Sequence, residues 1–180
     1  FVTKGGTNEF EGSVGYYDRG DQFYGDKIEG NKYTFDKEDT AQSFTFGGPI
    51  IKDKAFFYVT YEDTTVTNPV LYGPAGSGAA NEQAITLEQV DSLRQLTISK
   101  YGWDPLGVAS TTESKQENTS LRIDYILNDN HRLTYNYKNT EGDRLRASGS
   151  NSSFYFESAS YFKGEKTDTS SILLVSDWSD

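Results

Sequence analysis

The 180-residue sequence predicts an all-β fold, an antiparallel up-and-down meander of about six strands with long loops and one short loop helix. Three observations carry this prediction. Apolar and polar residues alternate with period two over six stretches, which puts every second side chain on one face of a sheet. The connections between those stretches are alternately long and short. Aromatic residues make up 14% of the chain, with 13 Tyr and 11 Phe, yet mean hydropathy is -0.69. No run approaches the ~20 apolar residues that a membrane-spanning helix requires. A spanning β-strand needs only ~9 to 11 residues and hides its apolar side chains at alternate positions, so the pattern points to a partial transmembrane β-barrel.

The first strand is expected over 8–18, with Phe10, Val14 and Tyr16 on one face and Glu9, Glu11, Ser13 and Tyr17 on the other. A polar loop, 19–39, leads to a second strand over 40–50, where Phe44, Phe46 and Ile50 oppose Ser43 and Thr45. A tight turn at 51–54 returns the chain into a third strand, 55–66, with Phe57, Val59 and Tyr61 set against Phe56, Tyr58, Thr60 and Glu62. The longest connection, 67–116, opens with a Gly-rich segment, 73–80, expected to be a flexible loop because it lacks the Gly-Lys-Ser/Thr of a phosphate cradle. Within that connection Thr86-Leu-Glu-Gln89 has the form of a capping box, and Leu87, Val90, Leu93 and Leu96 recur at helical spacing until Gly102. A helix over 87–100 follows, its Leu/Val stripe expected to seat it on the loop surface. The fourth strand, 117–127, alternates Leu121, Ile123, Tyr125 and Leu127 with Ser120, Arg122 and Asp124. A turn at 128–130 precedes the fifth, 131–140, where Leu133, Tyr135 and Tyr137 oppose Thr134, Asn136 and Lys138. A third long loop, 141–166, leads to a last strand through 172–175 whose facing the pattern does not assign.

Arg122, Asp124 and Lys138 are too charged for a dry sandwich core and suit a wet lumen, which leaves the apolar face for lipid. Six strands cannot close such a barrel, and an open edge in lipid strands backbone N–H and C=O groups at several kcal/mol each. The missing partners are expected beyond Asp180, and a chain that opens on Phe1 and contains no Met is expected to be a piece of a longer one. A net charge of -10 without clustered Lys and Arg argues against nucleic acid, and the absence of Cys removes disulfides and thiolate metal sites.

Two motifs sharpen this reading: Val2-Thr-Lys-Gly-Gly-Thr-Asn-Glu-Phe-Glu-Gly-Ser13, and Phe46-Gly-Gly-Pro-Ile-Ile-Lys-Asp-Lys-Ala-Phe-Phe-Tyr58. In order and separation they resemble the plug-to-barrel junction and first hairpin of a TonB-dependent outer-membrane receptor of the Oar-like branch. Gly5 stands where that branch usually has Ser, and Glu11 where it usually has His. The resemblance implies that 1–6 is the end of a plug and its hinge, with Gly5 and Gly6 as the flexible joint, and that 7–180 begins a barrel wall of about 22 strands. It further implies active transport across the outer membrane of a Gram-negative bacterium, energised through TonB, which would touch the plug upstream of Phe1. The expected partners are outer-membrane lipid, TonB and an extracellular substrate of unidentified class; no cofactor, metal or catalysis is expected. The alternatives are a surface or secreted adhesin-like β module and a passive porin.

Among candidate site residues, the loop aromatics Tyr101, Trp103, Phe154, Tyr155, Phe156 and Tyr161 could stack on a substrate, or instead form an outer aromatic girdle or pack the loops together. His131, the single histidine, reads as a turn or rim residue rather than part of a nucleophile relay. Glu9 and Glu11 share a face as a glycosidase pair would, but a solvated lumen face or pairing with wall or plug cations suits them better. Arg19-Gly20-Asp21 matches an adhesion tripeptide too short to be specific. Asp18, Asp21, Asp26, Glu29, Asp36, Glu38 and Asp39 lack the fixed spacing of a calcium loop and read as acidic surface.

Overall fold

The computed structural model describes residues 4–25, 27–28, 31–32, 37–146, 149–150 and 152–178. In chain order the strands are β1 (Glu11–Arg19), β2 (Lys27–Ile28), β3 (Asn31–Lys32), β4 (Glu38–Ile51), β5 (Ala55–Pro69), β6 (Tyr72–Ala75), β7 (Asn81–Thr86), β8 (Thr111–Asn128), β9 (His131–Arg146) and β10 (Tyr161–Ser176). One α-helix, α1 (Leu87–Tyr101), precedes β8. A 6-stranded antiparallel sheet runs β1-β4-β5-β8-β9-β10, so the long strands pair in chain order as a meander and the sheet does not close within this chain. Both tight turns, at 52–54 and 129–130, lie at one end of it, and the three long connections lie at the other. No described helix is long and apolar enough to cross a membrane.

The long strands overrun their expected limits at the loop end. β8 begins at Thr111 rather than 117, β9 runs to Arg146 rather than 140, and β10 begins at Tyr161. The ladder continues there through pairs such as Asn68↔Thr112 and Ser114↔Arg144, although both faces are polar. Backbone pairing requires no apolar contrast, whereas a period-two pattern does; the contrast fades where the sheet rises out of lipid. The Gly-rich segment is also corrected: Tyr72–Ala75 pairs in parallel with β7, Pro74 is fully buried, and the Glu82 carboxylate accepts from the Gly76 and Gly78 N–H groups at 3.0 and 3.3 Å. The helix forms as expected, with the reciprocal Thr86/Gln89 capping box and Gly102 at φ 67. Its stripe does not seat it, however: Val90 is buried, but Leu87, Leu93 and Leu96 are exposed.

Register assigns the two faces. Phe46, Val59, Leu121 and Tyr137 occupy one cross-strand row of the outward face; Tyr58, Arg122, Asn136 and Ser171 occupy the neighbouring row of the inward one. Ile172 and Leu174, opposite Tyr135 and Leu133, therefore join the apolar face, and Leu173 and Val175 face inward. Followed upward from the turns, the continuous apolar run of the outward face ends at Tyr16 on β1, Phe44 on β4, Tyr61 on β5, Leu121 on β8, Tyr137 on β9 and Ile172 on β10. These ends form a staircase. Phe44 pairs with Tyr61 and Leu121 with Tyr137, while successive pairs and the flanking ends differ by two residues. From β1 to β10 the edge drops by about six residues, or ~20 Å, across five inter-strand spacings totalling ~24 Å. A flat slab crossing the strands at ~40° produces that offset, within the ~35–45° tilt of membrane barrels.

Candidate functional site

At the turn end, the two sequence motifs pack into one cluster. Asn8 clamps the β4–β5 turn: its Nδ2 donates to Asp53 Oδ1 at 2.6 Å, and its Oδ1 accepts from the Asp53 N–H at 2.8 Å. Asp53 itself adopts φ 62, a left-handed conformation that Asp tolerates better than most residues. On the outward face the Phe10 ring stacks on Phe46 with centroids 5.9 Å apart and lies over Gly48, where any Cβ would strike it. On the inward face Lys4 Nζ meets Glu11 Oε1 at 2.8 Å and sits 5.4 Å from the Tyr58 ring centroid.

Residues 4–6 thus lie on the inward side of the wall, and the chain passes from there to the wall edge before Phe10. Gly6 is required by that path: a Cβ on it would collide with the Phe57 carbonyl oxygen and with Gly48. Gly5 lies over the Arg122–Asp124 pair. Arg122 donates through Nε and Nη2 to the two Asp124 carboxylate oxygens at 2.7 and 2.9 Å, and the Thr134 hydroxyl adds a bond of 2.7 Å. Asp124 and Thr134 are each only 4% exposed, and Phe56 and Tyr58 beside them are buried. A buried carboxylate needs such a partner set, because an unpaired charge out of water is costly.

At the loop end, the second and third long connections lock together. Gln83 is buried and donates to the Ser150 and Ser153 carbonyls, while the Glu157 N–H donates to Gly107 O at 2.8 Å and Ser158 N–H to Pro105 O at 3.2 Å. Arg94 holds Asp104 through bonds of 2.7 and 2.6 Å. In the first connection Tyr24 lies between two cations, Arg19 at 4.0 Å and Lys37 at 4.4 Å from its ring, and its hydroxyl donates to Asp39. Burial raises the Tyr24 hydroxyl pKa, and the Asp39 carboxylate reinforces that shift.

Two clefts open here. One, of ≈ 680 Å³, is lined by Tyr24, Lys37, Pro69, Val70, Leu71 and Tyr72 among others. The second, of ≈ 550 Å³, lies over the inward face of β5, β8, β9 and β10, and shares Asn68 and Thr112 with the first.

Residues 2–77 match a family described as outer membrane beta barrel domain. That part of the chain is similar to outer-membrane β-barrel sequence. The match spans the first hairpin and both motifs, and the protein belongs in the outer membrane of a Gram-negative bacterium. No curated protein and no solved structure matches the chain. In this barrel the turn end is periplasmic, the loop end is extracellular, and the inward face lines the lumen.

The expected aromatic candidates divide in two. Tyr101, Trp103, Tyr155 and Tyr161 are exposed on the extracellular side, whereas Phe154 and Phe156 pack edge to face at 5.1 Å. Tyr161 opens β10 on the inward face; Tyr101 and Trp103 flank the C-cap of α1. Sequence reasoning missed Tyr24 and Tyr72, which line the larger cleft, because only tertiary contacts bring three separate loops together there. His131 opens β9 at the periplasmic rim, 5.4 Å from the Trp178 ring. Glu11 pairs with Lys4, not with Glu9. Arg19 of the Arg-Gly-Asp tripeptide is engaged with Tyr24. Asp26, Glu29 and Asp36 lie outside the described residues, as do Phe1 to Thr3; among the described residues no acidic cluster has metal-holding geometry.

Proposed function

We propose that this chain is the start of the barrel wall of a TonB-dependent receptor of the Oar-like branch, which imports an extracellular substrate with energy delivered through TonB. The observation that carries this reading is the path of residues 4–6. They lie against the lumen face, tied by Lys4 to Glu11, and reach the wall only through the close approach at Gly6. A segment anchored inside the lumen just before the first wall strand is what a plug joined to its barrel requires; an empty pore has no need of it. The glycine pair gives the junction rotational freedom, while Asn8 fixes the point beyond which motion stops. On this reading, 1–6 is the plug end and hinge and 7–180 the first part of the barrel. Pulling the plug would move residues up to Gly6 and leave the wall in place.

The test uses the intact protein extracted from outer membranes. It is expected to bind the immobilised periplasmic domain of TonB, and to show little ion conductance in planar bilayers. Open conductance without TonB binding would make it a passive porin instead.

A further inference from the structure

The chain carries a net charge of -10, yet the lumen face of β9 and β10 at the extracellular mouth carries the opposite sign. Arg144 on β9 stands directly opposite Lys163 on β10, and Arg146 follows two residues on along the same face. Like charges placed directly across a strand pair destabilise a sheet. Of the two carboxylates lining the cleft, Asp143 stands opposite a further cation, Lys115, and Glu165 offsets these three: Lys163 Nζ meets Glu165 Oε1 at 2.7 Å, and Arg144 and Arg146 also help hold the Glu165 pKa below its ordinary value. Among the described residues neither arginine makes an ion pair of its own. Beneath these cations the floor is small and hydroxyl-bearing, with Ser114 and Thr140 around Gly142, so the groups stand over open space rather than packed side chains. Cations that served only to meet lipid headgroups would point outward; these point into the lumen.

The adjoining cleft has a different character. Tyr72, Leu71, Val70 and Pro69 give it an apolar wall, with the cation-flanked Tyr24 across from them. Since Asn68 and Thr112 line both, the two clefts form one continuous groove with an apolar half and a cationic half. Their volumes of ≈ 680 and ≈ 550 Å³ suit small-molecule ligands.

We propose that this groove binds the transported substrate, and that the substrate carries a carboxylate or phosphate on an apolar or flat body. Arg144, Arg146 and Lys163 take the anionic group, for which guanidinium offers paired N–H donors; the Tyr72 side takes the body. The substrate role rests on the transport reading above, while the binding site itself does not.

The test is equilibrium dialysis of the intact receptor in detergent with three probes of one shape: 2-naphthoate, 2-naphthyl phosphate and neutral 2-naphthol. At low salt the two anions are expected to bind about tenfold or more tighter than naphthol, a preference that shrinks as salt is added. The Arg144→Gln/Lys163→Gln double variant, altered at exposed positions, should lose that preference and keep naphthol binding. Tyr72→Ser should weaken all three probes alike. If the anions bind no tighter than naphthol, or if the double variant keeps the preference, the site is refuted. Carboxylate and phosphate arms rank the two anion types. Because TonB takes no part in the dialysis, its failure leaves the transport reading standing, and failure to bind TonB leaves this site standing.

Discussion

The periplasmic and extracellular ends of this sheet are held together by different means. At the periplasmic end, side chains 36 to 45 positions apart meet in one-to-one contacts, Phe10 on Phe46 and Asn8 on Asp53, beside the half-buried Arg122 and its buried partner Asp124. At the extracellular end the loops dock through backbone carbonyls and buried prolines, and the strands beneath them are polar on both faces. The first end must hold its geometry within lipid, where a slipped strand would expose backbone or charge. The second stands in water, where ladder and loop can vary without that penalty. The two ends should therefore lose stability separately.

The largest test concerns the boundary between them. Val59 and Ser170 lie in the same cross-strand row, but the staircase puts Val59 in mid-band and Ser170 above the apolar edge of its strand. Val59→Arg is expected to cost about 2–4 kcal/mol and Ser170→Arg about 0–1 kcal/mol, read from denaturant unfolding of the intact barrel in lipid. Equal costs would mean that the strands are not tilted as the staircase requires.

A smaller pair separates the ends directly. Asn8→Ala removes two hydrogen bonds to Asp53, each worth about 0.5–1.5 kcal/mol, and should lower the barrel's unfolding midpoint. Gln83→Leu removes its two hydrogen bonds to the Ser150 and Ser153 carbonyls, which keep their mutual backbone bonds, at a cost of about 0.5–1.5 kcal/mol each confined to loop docking. It should speed proteolysis within 149–160 and leave the barrel midpoint unchanged. A shift in that midpoint would show that the two ends fold as one unit.

Legibility in the sequence follows the same division. The six strands, the two tight turns, the capped helix and the division of faces on all but the last strand could be read because lipid imposes a period-two contrast and turns demand particular residues. The Thr-Asn-Glu-Phe and Lys-Asp-Lys runs could be recognised as motifs, yet nothing local announces that Asn8 clamps Asp53. Above the membrane the contrast vanishes, so the upper thirds of β8, β9 and β10 read as loop. The groove was hidden for a further reason: Arg144 and Lys163 belong to different strands, Tyr24 and Tyr72 to different loops, and only register and loop docking bring them together.

The smallest expected effect lies within the second loop. Asp104 accepts two bonds from Arg94, and its third, from the Leu106 N–H at 2.8 Å, holds Leu106 at φ 66. The Arg94 bonds first, and the Leu106 N–H next, lower the Asp104 pKa from 3.8 to about 2. A carboxyl whose pKa is depressed on folding stabilises the loop fully above its unfolded value, and that contribution fades as pH falls through the folded one. The tether is therefore expected to be intact from neutral pH down to about 4 and to weaken between there and about 2. The Asp104→Asn variant should be loosened already at neutral pH. Because the pair is exposed to solvent, the change should be confined to the segment from Arg94 to Leu106. Pepsin cleavage near Tyr101, taken as the ratio of variant to parent in the intact barrel, should fall toward unity as pH drops from 4 to 2, as the parent loses what the variant lacks. A ratio that stays constant across that range would show that α1 is held by Val90 and the C-cap alone.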